Sequence, residues 1–397
     1  MMNMPHHLTT SVYLLVIGLC AACFTGEAKA EGPWLKPVIA VSEQYDDNIF
    51  LTPSNTTSDT VTTVTAGVLL EPELSRHELR IGYGGLFEFF AENSGENTNN
   101  HQVEGQATLN FNQWRVELSD TFSSSENRTG TEDTARIPRL NNQAGIGVIY
   151  QFNKMDLGLR YKYRHEDYRS NNPIGAFLGQ SLTYQDLDSD ENSAELELAL
   201  KLWPKTALLL SGRYGKLSYD TGRKGGSEYF DLLTGLRGQF MRKGEIEGKI
   251  GFRTQDYDSF AAGFDEIIFL ITLTENFTPR DTLTIDLERT TNTTIEQENA
   301  YFEGTELAFA YIHKFTERIA AQLRASYRIN DYPASITVGG QTGTRKDKIW
   351  LAGIGFNYTL TGGVEISLAY DFGQRESNFD TNDYDNNLVS LRVSLPF

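Results

Sequence analysis

The sequence alternates between apolar and polar residues with a period of two along almost its whole length after residue 30. In residues 103–111 the odd positions are apolar or small and the even positions are polar. A similar alternation recurs in residues 155–163, 194–202, 319–327 and 389–395. Because successive side chains of a β-strand point to opposite faces, each segment is predicted to form a strand with one apolar and one polar face.

The connections between these strands are predicted to alternate between short and long. Eight short turns, several of them containing Pro or paired Gly, are predicted at residues 71–75, 111–113, 152–154, 203–206, 241–244, 276–280, 313–316 and 359–363. Nine longer polar segments are predicted at residues 46–58, 91–100, 124–140, 165–191, 216–228, 254–264, 289–300, 329–346 and 371–386. These connections join eighteen strands. We therefore predict an all-β fold, a closed antiparallel transmembrane β-barrel of about 18 strands with short periplasmic turns and long extracellular loops.

A soluble all-β sandwich or propeller would show the same alternation. It would not explain why every second connection is long, or why aromatic residues such as Phe87, Tyr161 and Tyr370 collect near strand ends. A bilayer explains both features. Turning over the strand at 194–202 would move Lys201 into hydrocarbon, and a Lys or Arg at mid-membrane costs about 2–4 kcal/mol. The register is therefore predicted to be well determined.

The composition excludes several classes of function. The net charge of −18 argues against a nucleic-acid partner, which needs clustered Lys and Arg. Both cysteines, Cys20 and Cys23, precede residue 31, so no disulfide, Cys nucleophile or Cys-based metal site is expected beyond them. The histidines beyond residue 30 are dispersed, and no Gly-rich phosphate loop opens a helix. We expect no enzymatic activity, no cofactor and no metal site.

The two ends of the sequence carry predicted targeting signals. Residues 1–30 contain an apolar stretch followed by Ala28 and Ala30 at the positions that signal peptidase requires, so they are predicted to be a signal peptide cleaved after Ala30. Residues 31–397 are then predicted to be the barrel. The sequence closes on Phe397, and a terminal aromatic residue is typical of the strand that the outer-membrane insertion machinery recognises. The predicted location is the outer membrane of a Gram-negative cell.

Two short motifs carry a resemblance to a known family. YDDNIF at residues 45–50 closes the first predicted strand, and YDNNLVSL at residues 384–391 opens the last. With eighteen strands and no periplasmic helical repeat, the sequence resembles the putative beta-barrel porin type 2 family of outer-membrane barrels. Members of that family are often encoded among genes for exopolysaccharide or capsule export. The resemblance implies passage of a polysaccharide.

Eighteen strands enclose a lumen too wide for side chains to fill. The candidate pore-lining residues are the charged side chains on the polar faces of the strands, and their signs are mixed. They are Arg80, Glu88, Glu104, Arg115, Glu117, Arg160, Lys162, Arg164, Glu195, Glu197, Lys201, Arg213, Arg237, Glu247, Lys249, Arg253, Asp286, Glu288, Arg324, Arg328 and Arg392. One interpretation is that these charges pair across the wall and keep the lumen wet. The other is a transverse field between a basic ladder at residues 160–164 and acidic residues on the next strand, orienting a polar or anionic polymer. The balance of signs favours neutral or weakly charged sugars.

Three functions are compatible with such a barrel. They are an export conduit for a secreted polysaccharide, a general or solute-selective diffusion porin, and a structural or adhesive barrel. The expected partners are outer-membrane lipid and lipopolysaccharide, the barrel-insertion machinery and, for export, a polysaccharide and a periplasmic export protein.

Overall fold

The computed structural model describes residues 34–128, 132, 135–177, 180–239, 243–258, 263–295, 299–338 and 341–395. These residues form one eighteen-stranded sheet, a two-stranded hairpin in a loop, and three single-turn 3₁₀ helices at Ser94–Glu96, Tyr184–Leu187 and Asp380–Asn382. The sheet strands are β1 (Leu35–Asp46), β2 (Asp59–Leu70), β3 (Glu78–Phe90), β4 (Thr98–Asn110), β5 (Trp114–Ser125), β6 (Arg139–Gln151), β7 (Met155–Tyr168), β10 (Ser189–Trp203), β11 (Thr206–Tyr219), β12 (Ser227–Gln239), β13 (Gly244–Tyr257), β14 (Phe264–Thr278), β15 (Asp281–Thr293), β16 (Tyr301–Lys314), β17 (Ile319–Val338), β18 (Gln341–Thr359), β19 (Glu365–Ser377) and β20 (Tyr384–Leu395). The loop hairpin is β8 (Pro173–Phe177) with β9 (Gln180–Thr183).

The sheet closes on itself. Each strand pairs antiparallel with the next along the chain, β7 pairs with β10 across the loop hairpin, and β20 pairs with β1 from Ile39↔Leu395 to Asp46↔Leu388. In the described part of the chain, every strand of the eighteen-stranded sheet therefore has a partner on both sides, as a bilayer requires. This arrangement confirms the predicted eighteen-stranded antiparallel barrel.

The connections differ in length at the two ends of the barrel. One end, here called the turn end, carries connections such as 111–113 and 152–154. The other, the loop end, carries connections such as 47–58 and 169–188. The predicted alternation of short turns and long loops is confirmed. None of the helices among the described residues is long and apolar enough to cross a bilayer.

One predicted loop is instead a pair of long strands. A loop was predicted at residues 329–346, but β17 and β18 continue as a hairpin through this segment, pairing as far as Val338↔Gln341. Pro333 lies in a β-bulge between Asp331 and Ser335, where a residue without an N–H is tolerated. The Asn299 side chain binds the backbone of the bulge, accepting from Ala334 N–H at 2.7 Å.

The outer face of the barrel carries a continuous apolar row. Leu159 lies opposite Leu196, and Leu232 lies opposite Phe252, which in turn lies opposite Ile267. All five side chains are exposed in the isolated chain. A bilayer would cover this surface, which a soluble monomer of this kind could not leave bare.

Candidate functional site

Ion pairs between strands that are not neighbours identify the inner face of the barrel. Lys249 on β13 binds Glu195 on β10 at 2.6 Å, and between them lie β11 and β12. Three strand spacings amount to about 14 Å along the wall. Side chains on the convex face diverge and cannot bridge that distance, so this pair lies on the concave, lumenal face.

The strand registers extend this assignment around the barrel. Residues opposite one another in neighbouring strands share a face, and the paired registers place every sequence-predicted pore-lining residue on the same face as Lys249 and Glu195. The predicted targeting residues Ala28, Ala30 and Phe397 lie outside the described residues.

Most of the inner-face charges are gathered into ion-pair groups. Glu197 is the centre of one group, with Lys249, with Arg237 at 3.2 Å and with Arg160 at 3.5 Å. Since Glu197 is only 4% exposed, these cations compensate a carboxylate that would otherwise be expensive to bury.

A second group is centred on Asp231, whose side chain is fully buried. Arg213 on the preceding strand and Arg253 on the following strand both donate to its carboxylate, the latter at 2.7 Å. The Arg253 guanidinium also lies 4.3 Å from the ring centroid of Tyr229. The same ring covers Gly215, where a Cβ would overlap it. This stack fixes the position of Arg253 in the wall.

Glycines allow some pairs to pass over an intervening strand. Arg324 on β17, Gly353 on β18 and Asp371 on β19 lie in register, and Arg324 Nε donates to Asp371 Oδ1 at 2.9 Å above the glycine. A Cβ at Gly353 would overlap the Asp371 carboxylate.

The same arrangement recurs at Glu117, Gly147 and Arg160 on β5, β6 and β7. There a Cβ would lie 3.2 Å from Glu117 Oε2. We call Gly147 and Gly353 the glycine windows.

Several inner-face acids that neutralise the predicted cations are absent from the predicted pore lining. Asp156, Glu191, Asp231, Glu306 and Asp371 pair with Lys201, Arg164, Arg213, Arg328 and Arg324, respectively. Glu191 and Asp371 were assigned to loops because the strands extend further than predicted. Asp231 lies in the run YFDLL, where apolar residues on both sides obscure the apolar–polar alternation. The registers of the neighbouring strands are the signal that identifies all five.

The basic ladder on β7 is only partly neutralised. Arg160 and Arg164 have acidic partners, whereas Lys162 has no ion pair among the described residues, and the same holds for Arg392 on β20. Asp286 accepts a hydrogen bond from Thr272 at 2.6 Å. Local pairing therefore dominates the wall, which matches the interpretation of a wet, balanced lumen more closely than that of a transverse field.

Described residues of the β5–β6 loop contact distant parts of the opening at the loop end, here called the mouth. Arg136 binds Glu88 on β3 at 3.0 Å. Glu132 binds the loop that follows β15, which is eight strands from β5 around an eighteen-stranded ring. The Arg375 side chain of β19 donates to the Glu132 carbonyl oxygen at 3.1 Å. The loop therefore contacts nearly opposite walls and narrows the mouth.

Aromatic residues at the loop end of the barrel pack mainly against one another. Tyr168 and Tyr184 stack with ring centroids 6.2 Å apart, in a buried cluster with Ile137 and Leu187. Tyr257 and Tyr301 stack at 4.9 Å in a second cluster. The first cluster joins the loop end of β7 to residues of two connecting segments.

A cavity of about 470 Å³ lies beside Glu132 at the loop end. Its lining includes charged, hydroxyl and aromatic side chains, among them Glu132, Arg164, Tyr219, Arg253 and Thr294. This volume falls in the range of about 300–1,000 Å³ typical of ligand sites. Among the residues that the structure describes, no group of three or more His, Cys, Asp or Glu side chains has an arrangement that could hold a metal ion.

The two motifs singled out in the sequence meet at the closing seam between β1 and β20. Asn387 donates from its backbone and its side chain to the two carboxylate oxygens of Asp47, both at 2.7 Å. Asn386 donates to Asp46 at 2.6 Å, and the Asn48 side chain donates to the Asp385 carbonyl at 2.9 Å. We call this set of hydrogen bonds the seam clasp. Its amide and carboxylate pairs explain why both motifs are rich in Asp and Asn.

Comparison with known proteins gives one family and a set of structural neighbours. The sequence family described as putative beta-barrel porin 2 matches residues 31–397. Solved structures that align with the chain include OccAB3 of Acinetobacter baumannii, with 11% identity, 91% of this chain and 99% of that chain covered, and a TM-score of 0.46. The outer membrane protein opdK of Pseudomonas aeruginosa aligns with 13% identity, coverage of 91% and 98%, and a TM-score of 0.45. No curated protein matches the sequence.

Proposed function

This chain belongs to the putative beta-barrel porin 2 family and is a porin-like β-barrel of the outer membrane, and on that premise we propose that it conducts a secreted polysaccharide outward through its lumen. The family resemblance implies polysaccharide passage. The observation that carries the proposal is the paired wall. Charges such as Glu197 and Asp231 are compensated locally, so the lumen is hydrophilic without large unpaired fields that would hold a long polymer fast. The proposal makes the protein a channel rather than an enzyme.

We propose that residues 1–30 deliver the chain as a signal peptide and that the barrel is inserted by machinery that recognises the strand ending at Phe397. In this proposal lipopolysaccharide surrounds the loop end, and a periplasmic export protein delivers the polymer to the turn end.

A diffusion porin is the second candidate. The contact between the β5–β6 loop and Thr294 favours a diffusion porin, because a narrowed mouth admits small solutes more easily than a polysaccharide. A structural or adhesive barrel is the third candidate, favoured by loops that are packed together rather than splayed.

Gene deletion with complementation tests the proposal. We expect secreted polysaccharide to fall in the deletion strain and to return when the full chain is supplied, with uptake of small solutes little changed. If matrix or capsule production persists while solute uptake falls, the export function is wrong and the diffusion porin is supported. Loss of surface attachment with neither change would support the adhesive barrel.

A further inference from the structure

The inner face of β1 to β5 differs from the ion-paired wall of β10 to β13. One row of residues lies in register across these five strands, and it shares the lumenal face because Gly84 lies four positions from the lumenal Arg80 on β3. The members of the row carry no charge and are Val38, Gly67, Gly84, Gln102 and Ser123. Since Gly67 and Gly84 are neighbours in the row, two adjacent strands present backbone with no side chain above it.

A cavity of about 510 Å³, here called the trough, lies over this row. Thr65 and Leu86 also line it. Among the described residues, its lining contains one Arg and one Glu and no Lys or Asp, and these two residues, Arg80 and Glu104, form an ion pair at 3.2 Å. The volume falls in the range of about 300–1,000 Å³ typical of ligand sites. Because the two charges compensate each other, the trough suits a neutral ligand.

Gly84 has no structural explanation in the part of the chain that the structure describes. A glycine inside a strand is destabilising relative to alanine, because it loses more backbone freedom on folding and packs no side chain. A Cβ at Gly84 would have no described atom within 4 Å apart from its chain neighbours, and its φ is not positive. At Gly67, by contrast, a Cβ would lie 2.5 Å from the Tyr83 carbonyl oxygen, so the close approach of the strands requires that glycine. A strand glycine without such a reason often marks the place where a ligand approaches the backbone.

Polar side chains beside the glycines are free to bind a ligand. Thr65, Gln102 and Ser123 form no hydrogen bond with another described residue through their side chains, whereas the charged groups of β10 to β13 already bind one another. Hydroxyl and amide groups both donate and accept, as the hydroxyls of a sugar do. Val38 and Leu86 give the trough apolar surface for the C–H face of a sugar ring.

We propose that the trough binds a neutral hexose, with the ring over the backbone at Gly84 and the hydroxyls hydrogen-bonded by Gln102 and Ser123. The inference rests on the proposed function and deepens it, because it assigns the substrate class, a polymer of neutral sugars, and the wall along which the polymer passes. A free neutral sugar offers the same hydroxyl chemistry as a sugar within a polymer.

The test measures block of single-channel current in planar bilayers that contain the purified full chain. The neutral probes are glucose and two glucose hexamers of different linkage, maltohexaose and isomaltohexaose. Hexagalacturonate is the charged comparison, and polyethylene glycol of the same hydrodynamic radius as maltohexaose reports the width of the lumen. The variants are Gly84→Leu, which fills the trough, and Gln102→Ala, which removes a hydrogen-bonding group and leaves the glycine in place.

Two matched controls add the same leucine side chain elsewhere. Gly105→Leu adds it on the outer face of β4, where a Cβ would have no described atom within 4 Å apart from its chain neighbours. Gly355→Leu adds it on the inner face of β18, outside the trough, where the nearest atoms to a Cβ are 3.9 Å away. Retention of the heat-modifiable gel mobility of a folded barrel shows that each variant is folded.

We expect the neutral hexamers to block the wild-type channel with a longer residence time than glucose. Gly84→Leu and Gln102→Ala should each weaken that block about tenfold, because each removes direct contacts with the sugar. Gly105→Leu and Gly355→Leu should leave the block unchanged, and polyethylene glycol should affect Gly84→Leu and Gly355→Leu equally. Equal residence times for glucose and the hexamers would identify a free sugar as the ligand and overturn the assignment to a polymer.

Equal loss of hexamer block in Gly84→Leu and Gly355→Leu would indicate general narrowing of the lumen and overturn the trough. Absence of block by both neutral hexamers, or equally strong block by hexagalacturonate, would also overturn it. The bilayer readout does not depend on secretion. Block that requires the trough, together with unchanged polymer secretion in the deletion strain, would overturn the export function alone. Loss of secretion in that strain, together with unchanged hexamer block in Gly84→Leu, would overturn the trough alone.

Discussion

At the scale of single residues, the ion pairs of the lumenal wall depend on glycines, which have no side chain, as well as on the charged residues themselves. The glycine windows at Gly147 and Gly353 let an acid and a base on flanking strands meet above the strand between them. The apolar–polar alternation predicts the face of each charge but not which charges meet, because pairing depends on registers between distant segments. For that reason the candidate cations were predictable from the sequence, whereas the roles of Asp231 and Asp371 were not.

Replacing Gly353 with Ala should destabilise the barrel by about 1–3 kcal/mol, because the new methyl group forces the Asp371 carboxylate away from Arg324. Gly355→Ala is the matched control on the same strand and face, since the nearest atoms to its Cβ are 3.9 Å away. That control should change stability by less than about 0.5 kcal/mol. Urea unfolding in detergent, followed by the gel mobility of the folded barrel, measures both. Equal effects of the two substitutions would refute the window.

Low pH should favour the state in which Glu132 is buried against Thr294 and Ile295, here called the closed state. Burial raises the pKa of the Glu132 carboxyl to about 7 from 4.5, against the opposing effects of the Thr294 hydrogen bond and the Lys224 charge. The closed state therefore binds the proton more tightly than a state in which Glu132 is solvated. Its advantage is present at low pH and is lost as the pH rises through about 7.

Among the described residues, the charged groups that face Glu132 include Lys224, Arg345 and Arg375, and Arg345 is paired with Asp347. Channel conductance should thus rise between about pH 5 and about pH 8. The Glu132→Gln variant, whose side chain does not titrate, should lose that dependence. A wild-type channel with a flat pH profile would contradict the prediction.

At the scale of elements, the membrane-spanning strands were the most predictable feature, and the hairpin formed by the extensions of β17 and β18 was the least predictable. Alternation over 319–327 predicted the membrane-spanning part of β17, where one face meets lipid. Residues 329–346 were predicted to be one of the long polar connections. In the structure, Pro333 lies in a bulge whose backbone is bound by the Asn299 side chain. Because Asn299 belongs to a different loop, the local sequence around Pro333 does not predict this contact.

The seam clasp should contribute measurably to closure of the barrel. In a double-mutant cycle, Asp47→Ala and Asn387→Ala should show a coupling energy of about 0.5–3 kcal/mol, because the two side chains share a direct hydrogen bond at 2.7 Å. Asp47→Ala combined with Glu228→Ala, which lies on the distant strand β12, is the control cycle and should be additive within about 0.5 kcal/mol. Urea unfolding measures both cycles. Additivity at the clasp would mean that the two motifs do not act together.

At the scale of the whole molecule, the barrel combines a balanced wall with a mouth that one loop narrows. Length and strand count predicted a wide, wet lumen. They did not predict that the β5–β6 loop reaches the loop after β15, because such a contact depends on the ring order of the strands rather than on either loop's composition.

Fixing that contact should close the channel. Both native cysteines precede residue 31, so Glu132→Cys with Thr294→Cys creates the only thiol pair within residues 31–397. Since the two native side chains are in hydrogen-bond contact, oxidation or a short cross-linker should join the loop to the opposite wall. Conductance should drop on cross-linking and recover on reduction, while either single substitution alone should not respond. A cross-linked channel that conducts fully would show that the contact does not limit the opening.

The seam has a consequence for biosynthesis. The clasp joins residues separated by 340 positions, so the hydrogen-bonding edge of β1 stays without its partner until β20 has been translated. Throughout that interval the nascent chain exposes both an unpaired strand edge and the apolar faces of its strands, and each of these promotes aggregation. Such a polypeptide needs a chaperone on its way to the membrane. Its barrel can close only when the last strand pairs with the first.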